Sequence, residues 1–249
     1  MFKFLNTNRP KIVLAAPSWV IPGTVAENCF HLAGKVDEIA LLFFETEACL
    51  KYTRNDLPTD LAETGLSFHI HHPLDLPWSA GGDAVAGIVL ELASLAAHLS
   101  PRAHVIHPPE DGPEAEKALM DFAGAIRGAG FDPGMFLFEN IKENSLSDYV
   151  GTIRECGFGI CLDLGHILSY GQHSLLDGQI KGIVRMLHLN APGPGGKHAP
   201  LDSLSDSDIP VLDVMFSLLD GNGTVTVEVF EEVGFSNSLK FLEKYFADK

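Results

Sequence analysis

The chain is short of positive charge. Of its 249 residues, 17 are lysine or arginine against 33 aspartate or glutamate, a formal net charge of −16. A polyanion such as duplex DNA is held mainly by lysine and arginine neutralising its phosphates, so no nucleic-acid partner is expected. No run approaches the roughly 18 apolar residues of a membrane span. Met1 to Pro10 holds too short an apolar stretch for an export signal, so no membrane partner and a cytoplasmic location are expected. Cys29, Cys49, Cys156 and Cys161 show no CxxC spacing, and Cys161 sits in the apolar run Gly159 to Leu162. They read as core thiols in a reducing compartment. No GxGxxG follows the first apolar run, which removes the usual dinucleotide fingerprint. Internal repeats and low-complexity tracts are absent as well.

What is present is a regular alternation. The composition is 46 % hydrophobic, and 249 residues suffice to bury a full core in one domain. Short β-rich runs recur: Ile12 to Ala16, Ile39 to Phe44, Leu66 to His71, Ala103 to His107, Met135 to Glu139, Gly159 to Asp163, Met186 to Leu189 and Thr224 to Val229. Between them lie helix-compatible segments, clearest at Asp83 to Leu99 with Asp83 as N-cap, at Pro113 to Ala129, and at Ser236 to Phe246. Two glycine/proline-rich stretches, Pro73 to Gly82 and Ala191 to Pro200, read as long loops after strands. Strands alternating with helices imply a parallel sheet, and about eight such units in this length predict an α/β fold. The expected architecture is a (β/α)8 TIM barrel, a single domain over residues 1–249.

Active sites of such barrels lie at the C-terminal ends of the strands. There the third run ends in His71, the fourth in His107, the fifth in Glu139, the sixth in Asp163 and the seventh reaches His188, while Glu228 stands near the end of the eighth. A polar residue at one strand end often merely meets solvent, and Asp163 alone could cap the next segment. Six in series without a lysine, serine or threonine are harder to dismiss. Three carboxylates and three imidazoles converging in one mouth call for a divalent metal. The mixed donors suit Zn, Mn or Fe better than Ca or Mg. His166, three residues after Asp163, and His198 in the later loop add to the set. His69 shares the inward side of His71 but lies deeper, as readily a hydrogen-bonded core residue as a ligand. His31, His72, His98, His104 and His173 read as structural or surface residues.

These segments resemble the xylose-isomerase-like barrel superfamily, and within it the endonuclease IV (AP endonuclease family 2) branch. The resemblance rests on His71-His72-Pro73, His107-Pro108, Phe138-Glu139-Asn140, Cys161-Leu162-Asp163-Leu164-Gly165-His166, His188-Leu189-Asn190, Lys197-His198-Ala199 and Val227-Glu228. It implies two or three divalent metal ions. Glu139 would bridge a first ion held by His71 and His107 and a second held by Asp163, His188 and Glu228. His166 and His198 would serve a third, although Gly196 stands where the family has an aspartate. The stretch His71 to Trp78 also resembles the cobamide-remodelling phosphodiesterases, which implies a small-molecule phosphodiester, a corrinoid, as substrate.

For such a substrate Glu139 is expected as ligand and bridge, Glu228 as the group that orients or deprotonates water, and Lys142 or Lys197 as neutralisers of phosphate charge. Trp78 offers a surface for stacking a ring. A sugar isomerase or epimerase is the main rival, since Glu139, Asp163, His188 and Glu228 would serve its single metal equally well. A barrel that binds a metabolite without turning it over is the third reading.

Overall fold

The computed structural model describes residues 12–247. The expectation drawn from Met1 to Pro10 lies outside them. Eight parallel strands form: β1 (Val13–Pro17), β2 (Glu38–Leu42), β3 (Ser67–His71), β4 (His104–Ile106), β5 (Phe136–Glu139), β6 (Gly159–Asp163), β7 (Val184–Leu189) and β8 (Thr224–Val227). Each pairs with its sequence neighbours and β8 pairs with β1, so the sheet closes into a barrel. A helix follows every strand: α1 (Val25–Leu32), the short α2 (Thr46–Cys49), α3 (Gly82–Leu95), α4 (Ala115–Gly128), α5 (Val150–Glu155), α6 (Leu164–Tyr170), α7 (Ile209–Leu218) and α8 (Glu232–Ala247). The expected (β/α)8 TIM barrel is what the chain forms, as one domain. No described helix is long and apolar enough to cross a membrane.

Strand residues alternate between two apolar layers. Outward-facing Phe68, Phe136, Phe138 and Ile160 pack under the helices with Phe122 and Phe158, each nearly inaccessible to solvent. Burying side chains of this size stabilises the fold by about 1.5–3 kcal/mol each. Inward-facing Val105, Leu137, Cys161 and Met186 make a separate plug inside the barrel. Two residues further along the chain come His107, just past β4, and Glu139, Asp163 and His188 on their strands, one layer nearer the mouth. The register Asp163↔His188↔Thr226 and Glu139↔Cys161 sets these side chains side by side.

Several boundaries differ from expectation. β4 ends at Ile106 and β8 at Val227, so His107 and Glu228 are the first residues beyond their strands. Gly81, not Asp83, is the N-cap of α3: its φ of 99° is open to glycine, and Asp83 sits inside the first turn. That helix stops at Leu95, and a separate 3-10 turn covers Ala97–Leu99. The helix expected over Pro113 to Ala129 runs from Ala115 to Gly128, with Pro113 just before its first turn. The final helix begins at Glu232, before Ser236, because the Glu231 carboxylate accepts from the N–H groups of Val233 and Gly234. The expected loop Ala191 to Pro200 contains a small antiparallel ribbon, Ala191–Pro192 with His198–Ala199.

Candidate metal centre

The mouth is built from strand ends. His71 ends β3, Glu139 ends β5, Asp163 ends β6 and His188 lies within β7, and all four are buried. His71 Nε2 lies 3.1 Å from Glu139 Oε2, His107 Nε2 3.5 Å and His188 Nδ1 3.3 Å from the same oxygen. Glu228 Oε2 lies 3.4 Å from both His188 Nδ1 and His198 Nδ1. His166 Nδ1 stands 3.7 Å from Glu139 Oε1 and from Asp163 Oδ1. The structure thus brings all eight sequence-predicted donors to one place. Glu139, Asp163, His188 and Glu228 form one close group, as do His71, His107 and Glu139, and also Asp163, His166 and His198. The group at Asp163, His166 and His198 shares Asp163 with the four-donor group. Gly196, at the position where the resembled family has an aspartate, has a left-handed φ of 78° and carries no donor.

Backbone carbonyls orient three of the rings. His71 Nδ1 donates to the His72 carbonyl at 3.1 Å, His166 Nδ1 to the Asn140 carbonyl at 2.8 Å, and His198 Nδ1 to the Glu228 carbonyl at 3.1 Å. A carbonyl only accepts, so a proton sits on Nδ1, which leaves Nε2 as the nitrogen that a metal ion would engage. Asp163 is fixed on both oxygens: Oδ1 caps α6 by accepting from the His166 N–H at 2.6 Å, and Oδ2 accepts from Asn190 Nδ2 at 2.8 Å. The capping reading and the ligand reading of Asp163 are therefore compatible. Asn140 receives the Asp163 N–H at 2.8 Å and donates to Gln172 at 2.8 Å.

The residues fit a cation. Glu139, Asp163 and Glu228 are buried together, and their ion pairs among the described residues are all with histidine. Both ring nitrogens of His188, and Glu228 Oε2, have no hydrogen-bond partner despite full burial. A divalent ion would satisfy these atoms, whose isolation is otherwise costly. Burial opposes charge on Glu139, yet His188, His107 and His71 hold its carboxyl well below the usual range. Burial likewise opposes the charged form of His188, but Cys161, Glu228 and Glu139 push it well above the ordinary imidazole value. Asp163 is raised, chiefly by burial.

A cavity of about 730 Å³ opens beside the centre, lined by His107 and His166 together with Trp78, Pro108, Lys142 and Tyr170. Trp78 is partly buried. Its Nε1 donates to the His107 carbonyl at 3.0 Å, and its ring packs against Phe122 and Phe138. It ties its loop to the barrel rim while lining the cavity. Lys142 lies on the cavity wall, exposed; Lys197 is exposed on the ribbon loop and does not line it.

Sequence reasoning missed Cys161 as a neighbour of the site: its sulfur groups with Glu139 and His188. It also missed Asn140, Asn190 and Gln172. The available signal was an amide directly after a candidate donor, at Glu139-Asn140 and one residue further at His188-Leu189-Asn190. His69 resolves as a core residue, its Nδ1 2.8 Å from Glu38 Oε1. His72 and His104 stack as a buried pair with 3.0 Å between Nε2 and Nδ1.

No family model and no curated protein matches the sequence. Solved structures do. A D-tagatose 3-epimerase-like protein aligns with TM-score 0.69 at 15 % identity over 95 % of this chain and 98 % of that one. Endonuclease IV from Thermus thermophilus aligns with TM-score 0.68 at 17 % identity over 95 % and 100 %. A xylose isomerase domain protein from Planctomyces limnophilus aligns with TM-score 0.65 at 14 % identity over 98 % and 100 %. At such identities the likeness is one of fold, and the fold is the TIM barrel.

Proposed function

We propose that this chain is a metal-dependent phosphodiesterase for a small diester, with the nucleotide loop of a cobamide as the leading candidate. The supporting observation is that His71 and His107 both face Glu139 Oε2, beyond the group formed by Glu139, Asp163, His188 and Glu228. That second cluster of donors calls for a second ion, and a third group at Asp163, His166 and His198 is available. Two or three ions of Zn, Mn or Fe suit this donor set. When bound, such ions supply positive charge to phosphoryl oxygens and acidify water.

The protein's own groups do the rest. Glu139 belongs to both donor clusters and joins them. Glu228 Oε2, without a hydrogen-bond partner and flanked by His188 and His198, is suited to orient water or take its proton. Lys142 on the cavity wall can meet phosphate charge, and the cavity beside Trp78 has room for a ring-bearing leaving portion. Lys197, exposed on its loop, does not line that cavity, so Lys142 is the better candidate for this part.

An epimerase or isomerase is the second reading. The four-donor group at Glu139, Asp163, His188 and Glu228 is what a single-ion enzyme needs, and an epimerase-like protein shares the fold. Elemental analysis combined with turnover separates the two. Two or three ions per chain and chelator-sensitive release of the nucleoside portion from a cobamide, or cleavage of bis-p-nitrophenyl phosphate, are expected. One ion per chain and epimerisation of a ketose with both diesters intact would hand the site to the second reading.

A further inference from the structure

Cys161 is the one cysteine inside the barrel. Cys29, Cys49 and Cys156 pack in the layer between strands and helices, whereas Cys161 joins Val105, Leu137 and Met186 in the inner plug. It lies on β6 two residues before Asp163, so its side chain points inward directly beneath the donors. Its sulfur, a Glu139 oxygen and a His188 ring nitrogen all lie within 4.8 Å of one another. In a tetrahedral ion with ordinary metal–sulfur, metal–nitrogen and metal–oxygen bonds, donors stand about 3.3 to 3.8 Å apart, so small side-chain adjustments close this group on one ion. A second observation points the same way: His188 is fully buried, and neither ring nitrogen has a hydrogen-bond partner.

We propose that Cys161 supplies a thiolate donor on the floor of the metal centre, in a subsite shared with Glu139 and His188 that selects a thiophilic divalent ion such as zinc or cobalt. The inference rests on the metal-dependent reading above and narrows it. Soft sulfur favours zinc over the hard ions that an all-oxygen and nitrogen centre would also accept. As the sulfur–metal bond forms the S–H bond breaks, and the proton leaves to solvent.

The test is spectroscopic and needs no turnover. Protein stripped by chelator and reloaded with cobalt(II) is expected to show near-ultraviolet thiolate-to-cobalt charge transfer together with weaker visible ligand-field bands. In Cys161→Ala and Cys161→Ser the charge-transfer band disappears while ligand-field bands persist. Zinc affinity, measured against a competing chelator, falls about tenfold or more, and manganese affinity changes by less than about twofold. Ligand-field bands without charge transfer in the unaltered protein, or a charge-transfer band that survives Cys161→Ala, would overturn the proposal while leaving a metal centre in place. Failure to take up cobalt at all overturns it together with the metal-dependent reading. Charge transfer in a protein that leaves every diester intact supports the thiolate and sinks the phosphodiesterase. The spectrum of the unaltered protein is decisive even if a variant folds poorly.

Discussion

Histidines 71, 166 and 198 each spend their Nδ1 proton on a backbone carbonyl, a choice that no side-chain pattern in the sequence announces. What was legible at this scale was chemical type: inward donors at successive strand ends. What was not legible was the second partner of each ring, because a carbonyl carries no residue signature, and Cys161 hid among apolar neighbours as an ordinary core thiol. Glu139 faces three imidazoles on one oxygen, so Glu139→Gln removes the charge between the two donor clusters and changes little in volume. Turnover is expected to fall by about 100-fold or more, as loss of several kcal/mol of electrostatic stabilisation implies, with the circular dichroism spectrum retained. Unaltered turnover would remove Glu139 from the mechanism. The histidines also predict a pH profile for the metal-free protein. His71, His166 and His188 are pushed above the ordinary 6.5: burial opposes their charge, but the surrounding carboxylates outweigh it for all three, aided at His188 by Cys161. Their contribution to stability is complete below 6.5 and is lost as pH rises through the raised values. Buried His104, lowered to about 4, and His72, held well below the ordinary imidazole value by burial and its neighbours, cost stability as pH drops below 6.5. Thermal melts of chelated protein should therefore peak near pH 6.5. Added zinc should raise the midpoint more at pH 8 than at pH 6, because fewer protons have to be displaced.

Elements differ in how openly the sequence declares them. Strands β5 and β6 are bounded by glycine, proline and a terminal carboxylate, and their expected limits agree with the structure within one residue. The limits of α3 and α8 were displaced by interactions outside simple periodicity, a left-handed Gly81 and the Glu231 carboxylate. Helix α6 has a tertiary requirement that its sequence does not reveal. A Cβ on Gly165 would lie 1.8 Å from Asn190 Oδ1, and Asn190 is the residue holding Asp163 Oδ2. Gly165→Ala should accordingly displace Asn190, release Asp163 and weaken metal binding by about 10- to 100-fold, the usual effect of losing an outer partner of a ligand. Competition titration against a chelator reads this directly, and unchanged affinity would mean that Asp163 holds its place without Asn190. Between α3 and α4 the backbones approach so closely that a Cβ on Gly82 would lie 2.0 Å from the Ala118 carbonyl oxygen. Gly82→Ala should cost about 1–3 kcal/mol in urea unfolding without touching metal affinity, since this contact lies away from the donor cluster.

For the whole molecule, the number and spacing of β-rich runs were enough to specify a barrel, because closure is the arrangement that pairs eight short parallel strands without leaving an edge. The substrate was less legible, since the same strand ends can carry a single-ion or a multi-ion centre and fold alone does not choose. Charge bears on the class of phosphodiester to expect. A formal net charge of −16 disfavours a long polyanion, and the cavity beside the centre adds Glu110, Glu114 and Glu143 against Lys142 alone. A duplex-binding barrel would need a basic track to neutralise successive phosphates, and each such contact would steepen the salt dependence of binding. Divalent ions at the centre relieve repulsion locally, for one phosphate, and leave the rest of a nucleic-acid strand facing carboxylates. Metal-loaded protein is therefore expected to bind an abasic-site duplex weakly, with little response between low and moderate salt, while it still cleaves a small diester. Fluorescence anisotropy with a labelled duplex across a salt series measures this. Tight binding that weakens steeply as salt rises would place the protein among nucleic-acid enzymes and overturn the small-substrate reading.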